Sequence, residues 1–375
     1  MEYSDDEEDR LSYLPDNVRD HTLHFLDTKH CVQTSVLSTM WRSLWKHVTH
    51  LQFDADSFPT YPDFKTFLKQ ALDTFGDGTD SPRIAKLTYK DRELWRLDHL
   101  RQLDLVMQYV DSRRHIRHIC VHGGGAGAEE KEMLRFSSLV AAFLDSDLGT
   151  LELGLVRFRS RNDWRGFRIL ENLVLEGCSF DWEWYDEGFD FFDDKFPCLK
   201  NLVLSGCDLV HSGRTWFRVS GPQLVNLEIS GTLNLAGVTV EIDAPKLESF
   251  SLVLLSNVPK FSRVSLPSLD RAYVGSRFAP HSGEETRTMV AANFVSLFRG
   301  LHNVRSLRFD YHVIEAMSEI SDVLERQACP FTRLECLKLP LISTDEEHYT
   351  LPDELISYFL KDSATMNSAG FLQFM

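Results

Sequence analysis

Apolar residues recur along most of this chain in one short pattern, apolar-x-x-apolar-x-apolar. It appears at Ile84, Leu87, Tyr89, then Ile116, Ile119, Val121, then Leu148, Leu151, Leu153, then Leu170, Leu173, Leu175. It continues at Leu199, Leu202, Leu204, at Leu224, Leu227, Ile229, at Leu247, Phe250, Leu252, and at Leu269, Ala272, Val274. The last two copies are Val304, Leu307, Phe309 and Leu334, Leu337, Leu339. The closing x-apolar-x-apolar stretch alternates as a strand with one buried face does. No single unit can bury that face alone, so the pattern predicts stacked units sharing one core.

Successive units start 22 to 35 residues apart. The longer intervals carry apolar residues at helical spacing: Leu103, Val106, Met107 and Val110; Met133, Phe136, Leu139, Val140, Phe143 and Leu144; Phe294, Leu297, Phe298 and Leu301; Met317, Ile320 and Leu324. The short central intervals have no room for helices and read as strand plus loop. Cys178 and Cys207 stand three residues beyond the final Leu of their units, which completes a leucine-rich repeat consensus. The fold class is therefore α/β, a leucine-rich-repeat solenoid with a mainly parallel sheet. It occupies 51–375, with about ten irregular repeats over 84–342 and a last helix near Asp353–Leu360.

Ahead of the repeats, residues 11–50 read as three short helices. Pro15 suits a first helical position, followed by Val18, Thr22, Phe25 and Leu26. Thr28 is expected to cap a second helix holding Val32, Val36 and Leu37, and Ser38 a third holding Trp41, Leu44 and Trp45. Three such helices bury too little surface to stand alone. Residues 1–10 read as an acidic, disordered tail.

Composition narrows the function classes. Lys and Arg number 40 against 56 Asp and Glu, a net charge of −16, which argues against a nucleic-acid partner. No apolar run is long enough for a membrane span, so no membrane partner is expected. The acidic opening is the reverse of an export signal. Seven cysteines without a CxxC pair fit reduced thiols better than disulfides or structural zinc. A cytoplasmic or nuclear protein is expected.

Four features invite a chemical reading. His122-Gly-Gly-Gly-Ala-Gly-Ala128 follows a strand and formally matches a dinucleotide fingerprint, yet Asp145 and Asp147 precede the next strand instead of ending it. Glu129 and Glu130 would also face a bound phosphate, so a strand-to-helix loop is favoured. His115, His118 and His122 fit no zinc-finger or metalloprotease spacing and are favoured as surface histidines. Between Phe180 and Phe196, aromatic residues alternate with acids, which fits a repeat insertion or a docking patch for a basic client. Asn172, Asn201 and Asn226 share one column of the repeat, and Tyr273 and Arg308 share another. These five are the candidate client contacts, although an amide ladder can also simply bond to itself. No catalytic group, cofactor or metal is expected.

Leu11-Ser-Tyr-Leu-Pro-Asp16, Thr28-Lys29, Thr34-Ser-Val-Leu-Ser38 and Trp41-Arg-Ser-Leu-Trp45 resemble the F-box of plant F-box/leucine-rich-repeat proteins. Ala244-Pro-Lys-Leu247, Gly300-Leu-His-Asn-Val304 and Phe331-Thr-Arg-Leu334 extend the resemblance across the repeats. The resemblance implies a substrate-recognition subunit of a Skp–cullin–F-box ubiquitin ligase. The F-box would bind a Skp-type adaptor, and through it cullin, while the repeats bind a client protein. Rival readings are a repeat scaffold outside the ligase and, remotely, a nucleotide-binding enzyme built on Gly123–Ala128. The adaptor-binding residues it implies are Leu14, Pro15, Val18, Leu23, Phe25, Leu26 and Trp41. Arg19 and Thr22 stand where the family places aliphatic residues, Thr39-Met40 where Lys-Arg is common, and Asp27 where Pro is common. Arg19 is expected to lay its stem on apolar surface with the guanidinium in water. Of the C-terminal FBD domain common among relatives, a truncated part at most is expected.

Overall fold

The computed structural model describes residues 13–75, 86–94, 96–111, 116–123, 134–135, 148–158, 167–180, 188–190, 196–208, 216–231, 238–254, 258–276, 284–339, 353–360 and 372–374. The acidic tail, Ile84, the helix expected over Met133–Leu144, Gly124–Ala128 and most of the acidic aromatic segment lie outside these. The chain forms two compact units, Met1–Val156 and Arg157–Met375.

In the first unit, α1 (Asp16–His24), α2 (Thr28–Gln33) and α3 (Trp41–Leu44) precede the strands. The cap of α2 is Asp27, whose carboxylate accepts from the backbone N–H of His30 at 2.7 Å. Thr28, expected in that role, instead accepts from the N–H of Gln52 at 2.8 Å and ties the helix to the first strand. The cap position of α3 is Met40 and not Ser38, whose backbone carbonyl accepts from the N–H of Arg42. Strands His50–Asp54, Lys86–Asp91, His118–Gly123 and Thr150–Gly154 pair in parallel, with Leu51, Leu87, Ile119 and Leu151 in one register row. The first strand carries a template copy, Val48, Leu51 and Phe53, that the repeat reading did not include; all three are buried. Two helices fill the longer intervals: α4 (Tyr61–Thr74) and α5 (Leu97–Asp111). Thr60 caps α4, and Phe64, Leu68 and Ala71 form its buried face.

The second unit repeats the scheme with eight strands: Asn172–Glu176, Asn201–Ser205, Asn226–Ser230, Ser249–Leu254, Arg271–Ser276, Ser306–Phe309, Cys336–Leu339 and Leu372–Phe374. All pair in parallel, with Leu173, Leu202, Leu227, Phe250, Ala272, Leu307, Leu337 and Leu372 in one row. Leu151, Leu173 and Leu202 are fully buried and Leu227 nearly so. Each such side chain contributes roughly 1.5–3 kcal/mol, which is what holds the register. Gly177, Gly206 and Gly231 follow three of these strands with φ near +60°, a conformation glycine adopts without strain. The Gly177 N–H bonds to Ser205 O, and that of Gly206 to Ser230 O, both at 2.7 Å. Cys178 and Cys207 come next, both buried, and the Cys207 thiol donates to the carbonyl of Leu175. The consensus cysteines are thus small apolar plugs with one weak donor.

The central intervals differ from the strand-plus-loop expectation. They hold a second parallel sheet of Gly188–Asp190, Trp216–Ser220, Thr239–Asp243 and Lys260–Ser265. Its inward positions Phe217, Val219, Val240 and Ile242 alternate with polar residues. Turns at Phe196-Pro-Cys-Leu199, Gly221-Pro-Gln-Leu224, Ala244-Pro-Lys-Leu247 and Leu266-Pro-Ser-Leu269 each close on an i to i+3 bond of 3.1 or 3.2 Å. Proline at the second turn position presets the backbone angle. Toward the C-terminus helices return as α6 (Glu284–Gly300), α7 (Tyr311–Glu319), α8 (Ser321–Glu325) and α9 (Asp353–Leu360). Phe298 of α6 packs against Phe309, Phe331, Tyr358 and Phe359, which anchors the expected last helix.

Candidate functional site

Residues 13–47 expose apolar side chains that their own fold does not need. α1 buries Arg19 and Leu23 while Val18 and Phe25 face outward, Phe25 being 73% exposed. α2 ends at Gln33, and the following tight turn, Thr34–Val36, leaves Val36 85% exposed with Leu37 beside it. Val36 and Leu37 therefore do not belong to the core of a second helix, as spacing alone implied. The α-helix breaks at Gln33, before the turn that would have carried them onto its face. Tyr13 and Met40 are also exposed.

The seven predicted adaptor residues separate by role. Leu23 and Trp41 are 1% and 2% exposed and build the interior with Cys31. Burial and the nearby Asp27 carboxylate push the Cys31 thiol up to about 12, and it donates to the carbonyl of Leu23. Pro15, Val18 and Phe25 are exposed, and Leu14 and Leu26 half-buried. Tyr13, Val36, Leu37 and Met40 share that exposure and were not singled out from sequence. Spacing alone had assigned Val36 and Leu37 to a helix core, so no sequence signal marked them as exposed.

Arg19 departs from the snorkelling expectation. Its side chain is 4% exposed, its Nη2 bonds to Asp16, and its Nε and Nη1 are buried without a partner. The residue shares the buried side of α1 with Leu23, and its one bonded nitrogen meets the exposed Asp16 carboxylate.

On the repeat face of the second unit, Asn201 donates to Asn172 and Asn226 to Asn201. The amide ladder thus bonds along itself. Tyr273 and Arg308 are register partners, the guanidinium lying 5.2 Å from the ring centroid. Asp310 accepts from the N–H groups of Ser276 and Val313, joining that strand end to α7. Most of the acidic aromatic segment and Gly124–Ala128 lie outside the described residues. Gly123 itself ends a strand, where a Cβ would press on Leu94. No described helix is long and apolar enough to cross a membrane.

Helices with outward-facing apolar side chains thus precede in-register leucine-rich strands along this chain. Residues 11–52 match the F-box domain family. Among curated proteins, the chain is 27% identical over 254 residues to F-box/LRR-repeat protein 13 of Arabidopsis thaliana, covering 66% of this chain and 52% of that one. It is 26% identical over 326 residues to another F-box/LRR-repeat protein of that plant, covering 83% and 47%. An F-box/FBD/LRR-repeat protein of the same plant is 31% identical over 224 residues, covering 52% and 46%. The chain thus carries an F-box domain at 11–52 and, over more than half its length, is similar to plant F-box/leucine-rich-repeat proteins. It spans about half the length of the curated relatives it matches.

Proposed function

We propose that this protein is the substrate-recognition subunit of a Skp–cullin–F-box ubiquitin ligase. On this reading residues 11–50 dock a Skp-type adaptor, which joins cullin, and the repeats over 51–375 present a client. The chain carries out no bond chemistry itself. It raises the effective concentration of client lysines near a charged conjugating enzyme. The observation that carries the reading is the exposure of Val18, Phe25, Val36, Leu37 and Met40 within one short segment. Large apolar groups gathered on so short a segment favour a partner surface over chance exposure. The F-box match over 11–52 supports a Skp-type adaptor as that partner.

Asn172, Asn201, Asn226, Tyr273 and Arg308 are proposed as client contacts, since they stand on the outward positions of buried strands. Calorimetry with a purified Skp-type adaptor tests the first half. Binding by the intact chain, lost in Leu14→Ala with Pro15→Ala, supports it; a folded chain that does not bind moves the reading to a scaffold outside the ligase.

A further inference from the structure

The first unit holds a group of side chains that adaptor docking does not use. The strand His118–Gly123 turns Ile119 and Val121 into the core, which places His118, Cys120 and His122 on its other face. In the neighbouring strand Thr150–Gly154, Glu152 pairs with Cys120 and Gly154 with His122. Cys120 Sγ, a His122 ring nitrogen and a Glu152 carboxylate oxygen all lie within 4.8 Å of one another. His118 Nε2 is 2.8 Å from Glu152 Oε1 and holds that carboxylate in place. Gly154 permits the arrangement, because a Cβ there would overlap the His122 ring.

Thiolate, imidazole and carboxylate together form a donor set for borderline-soft divalent cations, zinc foremost. We infer that Cys120, His122 and Glu152 form a three-ligand site for a zinc-class divalent cation, with His118 as the positioning residue for Glu152. A tetrahedral zinc ion sets its ligand atoms roughly 3.3–3.7 Å apart, so closing on the ion takes a contraction of about 1 Å. Both strands are paired in a parallel sheet, so the donors are fixed by backbone register and not by a loop.

The Cys120 thiol also donates to Glu152, so two contacts hold that carboxylate within the cluster. Binding displaces the thiol proton to solvent and forms the Cys120–metal bond. Lys86 and Lys90, register partners of His118 and His122, oppose a cation while favouring the thiolate. The thiolate and the Glu152 carboxylate offset those two charges. This inference does not depend on adaptor binding.

Titration of the full-length chain with cobalt(II) as a zinc surrogate tests it. The expected result is one equivalent bound, with a near-ultraviolet thiolate-to-cobalt charge-transfer band that zinc displaces. Cys120→Ser should abolish the band, whereas serine at the exposed Cys198 should leave it intact. His118→Ala should weaken affinity roughly ten- to hundredfold while keeping the band, as loss of an outer partner does. No band in the unsubstituted chain, or one that survives Cys120→Ser, overturns the site. If the serine variant does not fold, Glu152→Gln decides: an unchanged band and affinity overturn the site, a weakened one supports it.

Discussion

The helical segment 13–47 and the strands that follow treat apolar side chains in opposite ways. Of the ten exposed large apolar residues among those described, six lie between Tyr13 and Met40. The central leucines of the strands, by contrast, are almost without exposure from Leu51 to Leu337. Both regions use the same residue types, so composition does not separate them. The difference is where the burial comes from. A repeat strand completes its core with its neighbour, whereas α1 and the turn after α2 leave apolar side chains facing solvent.

Substitutions should divide along that line. The largest effect is expected from Leu202→Ala, which removes a fully buried leucine from the second unit. It should cost about 2–5 kcal/mol of stability in urea unfolding, with adaptor affinity unchanged while the chain is folded. Phe25→Ala combined with Val36→Ala should do the reverse. Adaptor affinity should fall at least roughly tenfold by calorimetry, with stability moving by no more than about 0.5 kcal/mol. If the double variant unfolds the segment instead, the contrast between the regions is broken.

Arg19→Leu sharpens it. The guanidinium is buried with two nitrogens unpartnered, so leucine should stabilise the helical segment by about 1–3 kcal/mol, visible as a higher urea midpoint. Any gain in adaptor binding should then follow stability, because Arg19 is not on the exposed face.

The smallest effect concerns His50, which joins the two regions through a 3.3 Å contact with the carbonyl of Leu26. Burial lowers its pKa below the usual 6.5, against the raising effect of that carbonyl, and His24 and Lys86 lower it further. The neutral ring is favoured in the fold, so its contribution is present above pH 6.5 and is lost as pH falls through the lowered value. His50→Gln should remove a few tenths of a kcal/mol of that acid sensitivity, read from urea midpoints measured between neutral and mildly acidic pH.

The repeat was legible because every unit buries the same two or three positions. Register then follows, and Leu173, Leu202 and Leu227 do align. The second sheet was not legible, since a five-residue strand such as Trp216–Ser220 alternates too briefly to stand out between loops. The copy at Val48, Leu51 and Phe53 was hidden by its overlap with the helical segment. Apolar residues of the helical segment could be picked out, but which of them faced inward could not. Leu23 and Val18 are equally apolar, and only packing sends one in and the other out. The Cys120, His122 and Glu152 cluster was beyond reach for the same reason, since Glu152 arrives from another strand.

The intervals between repeats vary while the register does not, and the glycines that close three central strands keep each unit's exit alike. Outward positions such as Val174, Val203, Glu228, Ser251, Tyr273, Arg308 and Lys338 can therefore change identity without disturbing their neighbours' hydrogen bonds. In evolutionary terms the scaffold separates what must be inherited from what is free to diverge. A duplicated copy could acquire a new binding preference by point substitution at these sites, with no need to re-evolve a fold.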